Sequence, residues 1–75
     1  MSEETDPPPS VDMFELGHRV YETRYGWAGK VVGHGTLPIQ QRPCVLVYIT
    51  HSSFPDGLGI GQIFNLAPED LVHLD

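Results

Sequence analysis

Hydrophobic residues in this chain fall into short runs broken by glycine, proline and polar clusters, and no stretch of ten or more residues has helical spacing. From Phe14 onward the pattern predicts five strands. The first covers about His18 to Arg24, with Val20 set between Arg19 and Tyr21, and Tyr25-Gly26 makes the turn that follows. A second strand covers about Trp27 to Gly33, centred on Val31 and Val32. Residues 34–42 are rich in breakers and read as a loop. The third strand, Pro43 to Thr50, holds the densest β-branched and aromatic content, with Val45, Val47, Tyr48 and Ile49. After a loop at 51–59, marked by Pro55-Asp56-Gly57, a fourth strand is expected over Ile60 to Asn65. Ala67-Pro68-Glu69-Asp70 reads as one 3₁₀ turn, with a proline early and acids at its start, and Leu71 to Leu74 as the fifth strand.

Five short strands with one 3₁₀ turn before the last describe an all-β fold, a small five-stranded SH3-like barrel over residues 14–75. Residues 1–13 read as a disordered acidic and proline-rich tail, because they offer much charge and no apolar periodicity. Pro7-Pro8-Pro9 favours an extended polyproline conformation.

Charge changes the picture only once it is divided. The formal net charge is −6, but residues 1–16 carry Glu3, Glu4, Asp6, Asp12 and Glu15 and no base, which leaves −1 on residues 17–75. The predicted barrel is therefore close to neutral, which argues against nucleic acid as a partner. A nucleic-acid-associated KOW-like module would need Arg19, Arg24, Lys30 and Arg42 on one face. A single cysteine, Cys44, excludes an internal disulfide and reads as a small buried hydrophobe. No segment has the length of a membrane-spanning helix and the acidic start lacks the apolar core of a signal peptide, so a cytoplasmic protein is expected.

Candidate chemistry is sparse. His18, His34, His51 and His73 are separated by 16, 17 and 22 residues, without the close ligand pairs of a structural zinc site. His51-Ser52-Ser53 lacks the strand–elbow–helix context of a hydrolase nucleophile. Gly57, Gly59 and Gly61 precede a strand rather than a helix, so they do not form a phosphate cradle. They instead permit a bulge or the close approach of another backbone. No metal site and no catalytic residue is expected. The candidate binding residues are Gln62, Ile63, Phe64, Trp27 and Tyr21, with the competing expectation that Ile63 lies in the core and Gln62 and Phe64 on the opposite face. Tryptophan is a favoured interface anchor.

The same residues carry a family resemblance. Gly17-His18-Arg19-Val20 resembles the opening Gly-x-Arg-Val of the plasmid-borne type II dihydrofolate reductases, small SH3-like barrels with a disordered N-terminal tail. Trp27-Ala28-Gly29-Lys30-Val31-Val32-Gly33 is similar to their Trp-x-Gly-x-Ile-Val-Gly segment, and Gln62-Ile63-Phe64 to their Gln-Ile-Tyr signature. The resemblance covers roughly residues 14–33 and 61–74. It implies a tetramer around a central pore in which Gln62 and Ile63 would hold dihydrofolate and NADPH. Phe64 replaces the tyrosine and lacks its hydroxyl. Where that family places a lysine, this chain has Glu22, which in a pore would repel anionic ligands. The reading taken forward is a non-catalytic barrel that binds a protein partner or assembles with itself and needs no cofactor. An NADPH-dependent reductase and a KOW-like module are the alternatives.

Overall fold

A computed structural model describes residues 11–37 and 39–74. The chain is all-β, with five antiparallel strands in one sheet and no α-helix among the described residues. The strands are β1 (Arg19–Glu22), β2 (Trp27–Thr36), β3 (Pro43–Ser52), β4 (Ile63–Leu66) and β5 (Leu71–His73). They are hydrogen-bonded in the order β4-β3-β2-β1-β5, so β4 and β5 form the two ends of the ladder. The 3₁₀ turn Pro68–Asp70 connects those ends, as the proline and acids of that segment predict. No described helix is long and apolar enough to cross a membrane.

The long central pair β2–β3 is bent by two irregularities of register. Ala28 pairs with His51 and Gly29 with Ile49, which leaves Thr50 as an extra residue on β3. Val31 pairs with Val47 and Gly33 with Leu46, which leaves Val32 extra on β2. One bulge lies on each strand, so the pairing returns to its starting register while the ribbon gains local twist. Gly29 is required at the first bulge: a Cβ there would overlap the Tyr48 carbonyl oxygen and come within 2.8 Å of its carbon. Of the glycines on β2, Gly29 is thus the one that meets the backbone of β3; Gly33 and Gly35 face only side chains.

Alternation along the strands builds one core. Val20, Val31, Val45, Val47, Ile49, Leu66 and Leu71 are buried together, with Phe14 beneath the N-terminal segment. Each fully buried aliphatic side chain stabilises by about 1.5–3 kcal/mol, which matters in a domain of this size, where few such residues exist. Cys44 is also fully buried and free.

Four sequence expectations need correction. The segment 34–36 continues β2 rather than opening a loop. The fourth strand begins at Ile63, not Ile60, because Gly57, Gly59 and Gly61 all take positive φ values (73°, 97° and 88°) that no strand accommodates. On that strand Phe64 faces the core and Ile63 is 56 % exposed, the reverse of the arrangement with Ile63 inside. Val11–Met13, assigned to the tail, forms a 3₁₀ turn closed by the Phe14 N–H bond to the Val11 carbonyl at 3.0 Å. The rest of the predicted tail lies outside the described residues.

Glycine substitutions separate close approach from simple strand propensity. Gly29→Ala should destabilise the domain by about 3 kcal/mol or more, because backbone rather than a flexible side chain must yield. Gly35→Ala, whose nearest contact would be the Cys44 sulfur at 3.6 Å, should change stability by less than about 1 kcal/mol. Chemical denaturation of the two variants checks the contrast.

Candidate functional site

The sequence candidates divide between two faces of the sheet. Trp27 opens β2 and turns inward, where its ring stacks on Phe64 of β4 at 4.5 Å between centroids. Tyr25 lies 5.0 Å away on one side and Phe54 6.2 Å away on another. The indole N–H donates to the Leu58 carbonyl at 2.9 Å. Gly59, in a left-handed conformation, lets the loop sit directly on the indole, since a Cβ there would be 2.7 Å from Nε1. Contrary to expectation, the alternating glycines therefore do not admit another backbone; Gly59 alone makes a close approach, and it is to the Trp27 and Phe64 side chains. This cluster pins the 54–59 loop to the mouth of the core.

Tyr21 and Ile63 face the other way. Cross-strand partners in an antiparallel ladder point to the same side. Ile63 pairs with Tyr48, Tyr48 with Lys30, and Lys30 with Arg19, so these four side chains form one row across four strands. Beside it, Val72 pairs with Tyr21, Tyr21 with Ala28, and Ala28 with His51. Leu74 extends the first row, its N–H bonded to the Arg19 carbonyl at 2.9 Å. The result is an outer face on which Tyr21, Tyr48, Ile63, Val72 and Leu74 are all exposed, with Arg19 and Lys30 between them. Gln62 is exposed at the approach to β4, and its carbonyl accepts the Ile49 N–H at 2.9 Å.

Glu22 does not reach this face. It is 2 % exposed, on the same side of β1 as Val20, and its Oε1 accepts the Tyr25 N–H at 2.7 Å. Glu22 thus holds the β1–β2 turn from inside. The turn is also tied down by Ser53, whose hydroxyl donates to the Tyr25 carbonyl and whose N–H donates to the Gly26 carbonyl.

The cations do not converge. Arg24 pairs with Asp70 at 3.9 Å and lies 5.9 Å from the Tyr25 ring centre, while Arg42 bonds Glu69 at 2.8 Å. Both arginines hold the 3₁₀ turn, away from the Arg19–Lys30 pair. Three histidines are likewise structural. His34 meets the Phe14 carbonyl at 2.6 Å and His73 the Met13 carbonyl at 2.7 Å. His18 stands edge-on to His73 with ring centres 5.8 Å apart. Among the described residues no group of three or more His, Cys, Asp or Glu side chains is placed to hold a metal ion.

Compared with protein-family models, curated proteins and solved structures, the chain gives no match. Its site must be read from its own geometry. Sequence reasoning singled out Tyr21 and Ile63 but did not select Tyr48, Lys30 or Leu74, which share their face. The alternation of β3 marks Tyr48 as pointing away from Val47 and Ile49, but only the register places it beside Ile63 and Lys30.

Glu69 has its carboxyl held below the usual carboxylate range, first by its own backbone N–H and then by the hydrogen bond and charge of Arg42, against a small opposing effect of burial. A depressed folded value means that this pair adds stability above the ordinary carboxylate range and loses it as pH falls through the folded value. The pair is largely exposed, so its contribution should stay below about 1 kcal/mol. Arg42→Ala should move the Glu69 titration back up toward the ordinary range, as read by NMR of the side-chain carboxyl carbon.

Proposed function

We propose that the chain is a small protein-binding module that assembles with a second copy of itself through the outer face of the sheet. The strand order and the 3₁₀ turn between the ladder ends fit the SH3-like barrel that we take as its class. The observation that carries the reading is the exposed apolar group Tyr21, Tyr48, Ile63, Val72 and Leu74 on one face. Exposed apolar side chains gathered on one face with cations among them support an interaction site. Tyrosines supply contact area at low entropic cost, and Arg19 and Lys30 supply polar groups beside it. Trp27 and Phe64 are satisfied by each other, so they support the edge of this surface rather than serve as its anchors.

Sedimentation over a range of concentrations tests the proposal. The chain should exceed its 8.3 kDa monomer mass at micromolar concentration. Ile63→Asp, at an exposed position, should return it to monomer with the fold intact. A monomer at every concentration, or an Ile63→Asp variant that associates as well as the parent, sinks the idea.

A second reading draws on one observation. Lys30 and Arg19 lie in the same row as Ile63, so a cationic stripe accompanies the Gln62-Ile63 segment even though Glu22 is turned inward. Copies assembled about this row would present cations where a type II-like reductase holds NADPH and dihydrofolate. NADPH consumption in the presence of dihydrofolate is the test. Activity that disappears in Lys30→Met would support it, and no consumption at micromolar protein would end it.

A further inference from the structure

Glu22 lines a groove of about 470 Å3 on the side of the sheet opposite the outer face. One wall is the β1–β2 turn, a second is the loop between β2 and β3, and the third is the end of β4 with the 3₁₀ turn. Five charged groups line it: Glu22, Glu69, Asp70, Arg24 and Arg42. Arg42 is paired with Glu69 and Arg24 with Asp70, which neutralises four of the five. The remaining formal charge is that of Glu22. Among the described residues no lysine, arginine or histidine pairs with it, and it receives one hydrogen bond, from the Tyr25 N–H.

A carboxylate has room for about four hydrogen bonds, and withdrawing it from water without a counter-charge is costly. Here it is almost wholly withdrawn, yet borders an open groove. The geometry points to a binding site for the guanidinium group of an arginine side chain presented by a partner polypeptide, with Glu22 as its anchor. Guanidinium is more weakly hydrated than ammonium and offers paired donors that match the two carboxylate oxygens. Leu37, Leu66 and Ala67 line the same groove and give the aliphatic stem of such a side chain an apolar wall. Arg24 and Arg42 are engaged by the acids of the 3₁₀ turn, which limits their repulsion of an incoming cation, while the charge of Glu22 disfavours a carboxylate ligand. The site shares no residue with the outer face, so either reading stands or falls without the other.

The test is a titration of the full chain, followed through its backbone amide resonances, with N-acetylarginine amide and its neutral isostere N-acetylcitrulline amide. The arginine compound should give saturable shifts centred on the Tyr25 amide and on Leu66 and Ala67, with the citrulline compound weaker by about tenfold or more, because the charge-assisted bond is lost. Glu22→Gln keeps an acceptor for the Tyr25 N–H and should abolish the difference between the two compounds. Equal binding of arginine and citrulline by the parent chain would overturn the proposal even if the Glu22→Gln variant failed to fold. So would shifts confined to Tyr48 and Ile63, or N-acetyllysine amide binding as tightly as the arginine compound.

Discussion

The contact between Gly29 and the Tyr48 carbonyl is the constraint on which the rest of the structure depends. It sits at the first bulge of the β2–β3 pair, the longest pairing in the sheet, and no side chain can occupy the space. Because the backbones meet there, Thr50 is left unpaired and β3 changes register, to be restored where Val32 is left unpaired on β2. The bend keeps Val31, Val47 and Ile49 on one side to form the core while Lys30 and Tyr48 stay on the other. A straight ladder of the same length would not gather so short a chain around a single apolar centre.

Once that ribbon is set, the ends of the molecule are secured by polar contacts rather than by more core. The N-terminal 3₁₀ turn is held by Phe14 packing and by His34 and His73 at successive backbone carbonyls. The far end is held by Glu22 inside the first hairpin, by the Thr23 N–H at the Asp70 carbonyl (2.9 Å), and by two arginine–acid pairs on the second 3₁₀ turn. Such contacts suit a small domain, since most join segments distant in sequence without demanding further buried apolar area. They also engage His34, His73, Arg24 and Arg42 in holding the fold.

The outer face and the Glu22 groove are consequences of the same alternation along β1. Tyr21 and Glu22 are neighbours in sequence and point to opposite sides, one to exposed sheet surface and the other to a buried pocket wall. An acid at this position therefore says nothing against an anionic ligand on the outer face. It bears instead on what the opposite groove can accept. The aromatic stack of Trp27 on Phe64 steadies the 54–59 loop.

The all-β class, the number of strands, the 3₁₀ turn before the last strand and the burial of Cys44 were legible in the sequence, because β-branched alternation and proline–glycine punctuation act locally. The alternating glycines suggested the approach of another backbone, but it is the Trp27 and Phe64 rings that Gly59 admits. The start of β4 was misplaced because the alternating left-handed Gly57, Gly59 and Gly61 delay the strand while the apolar residues between them suggest one. The inward turn of Glu22 and the exposure of Ile63 against the burial of Phe64 were decided only by the tertiary structure, as was the row Ile63–Tyr48–Lys30–Arg19. Each depends on cross-strand register, and a shift of one residue exchanges the faces of an entire strand. Composition and spacing along one chain carry no record of that register. It is set where Gly29 meets the Tyr48 carbonyl.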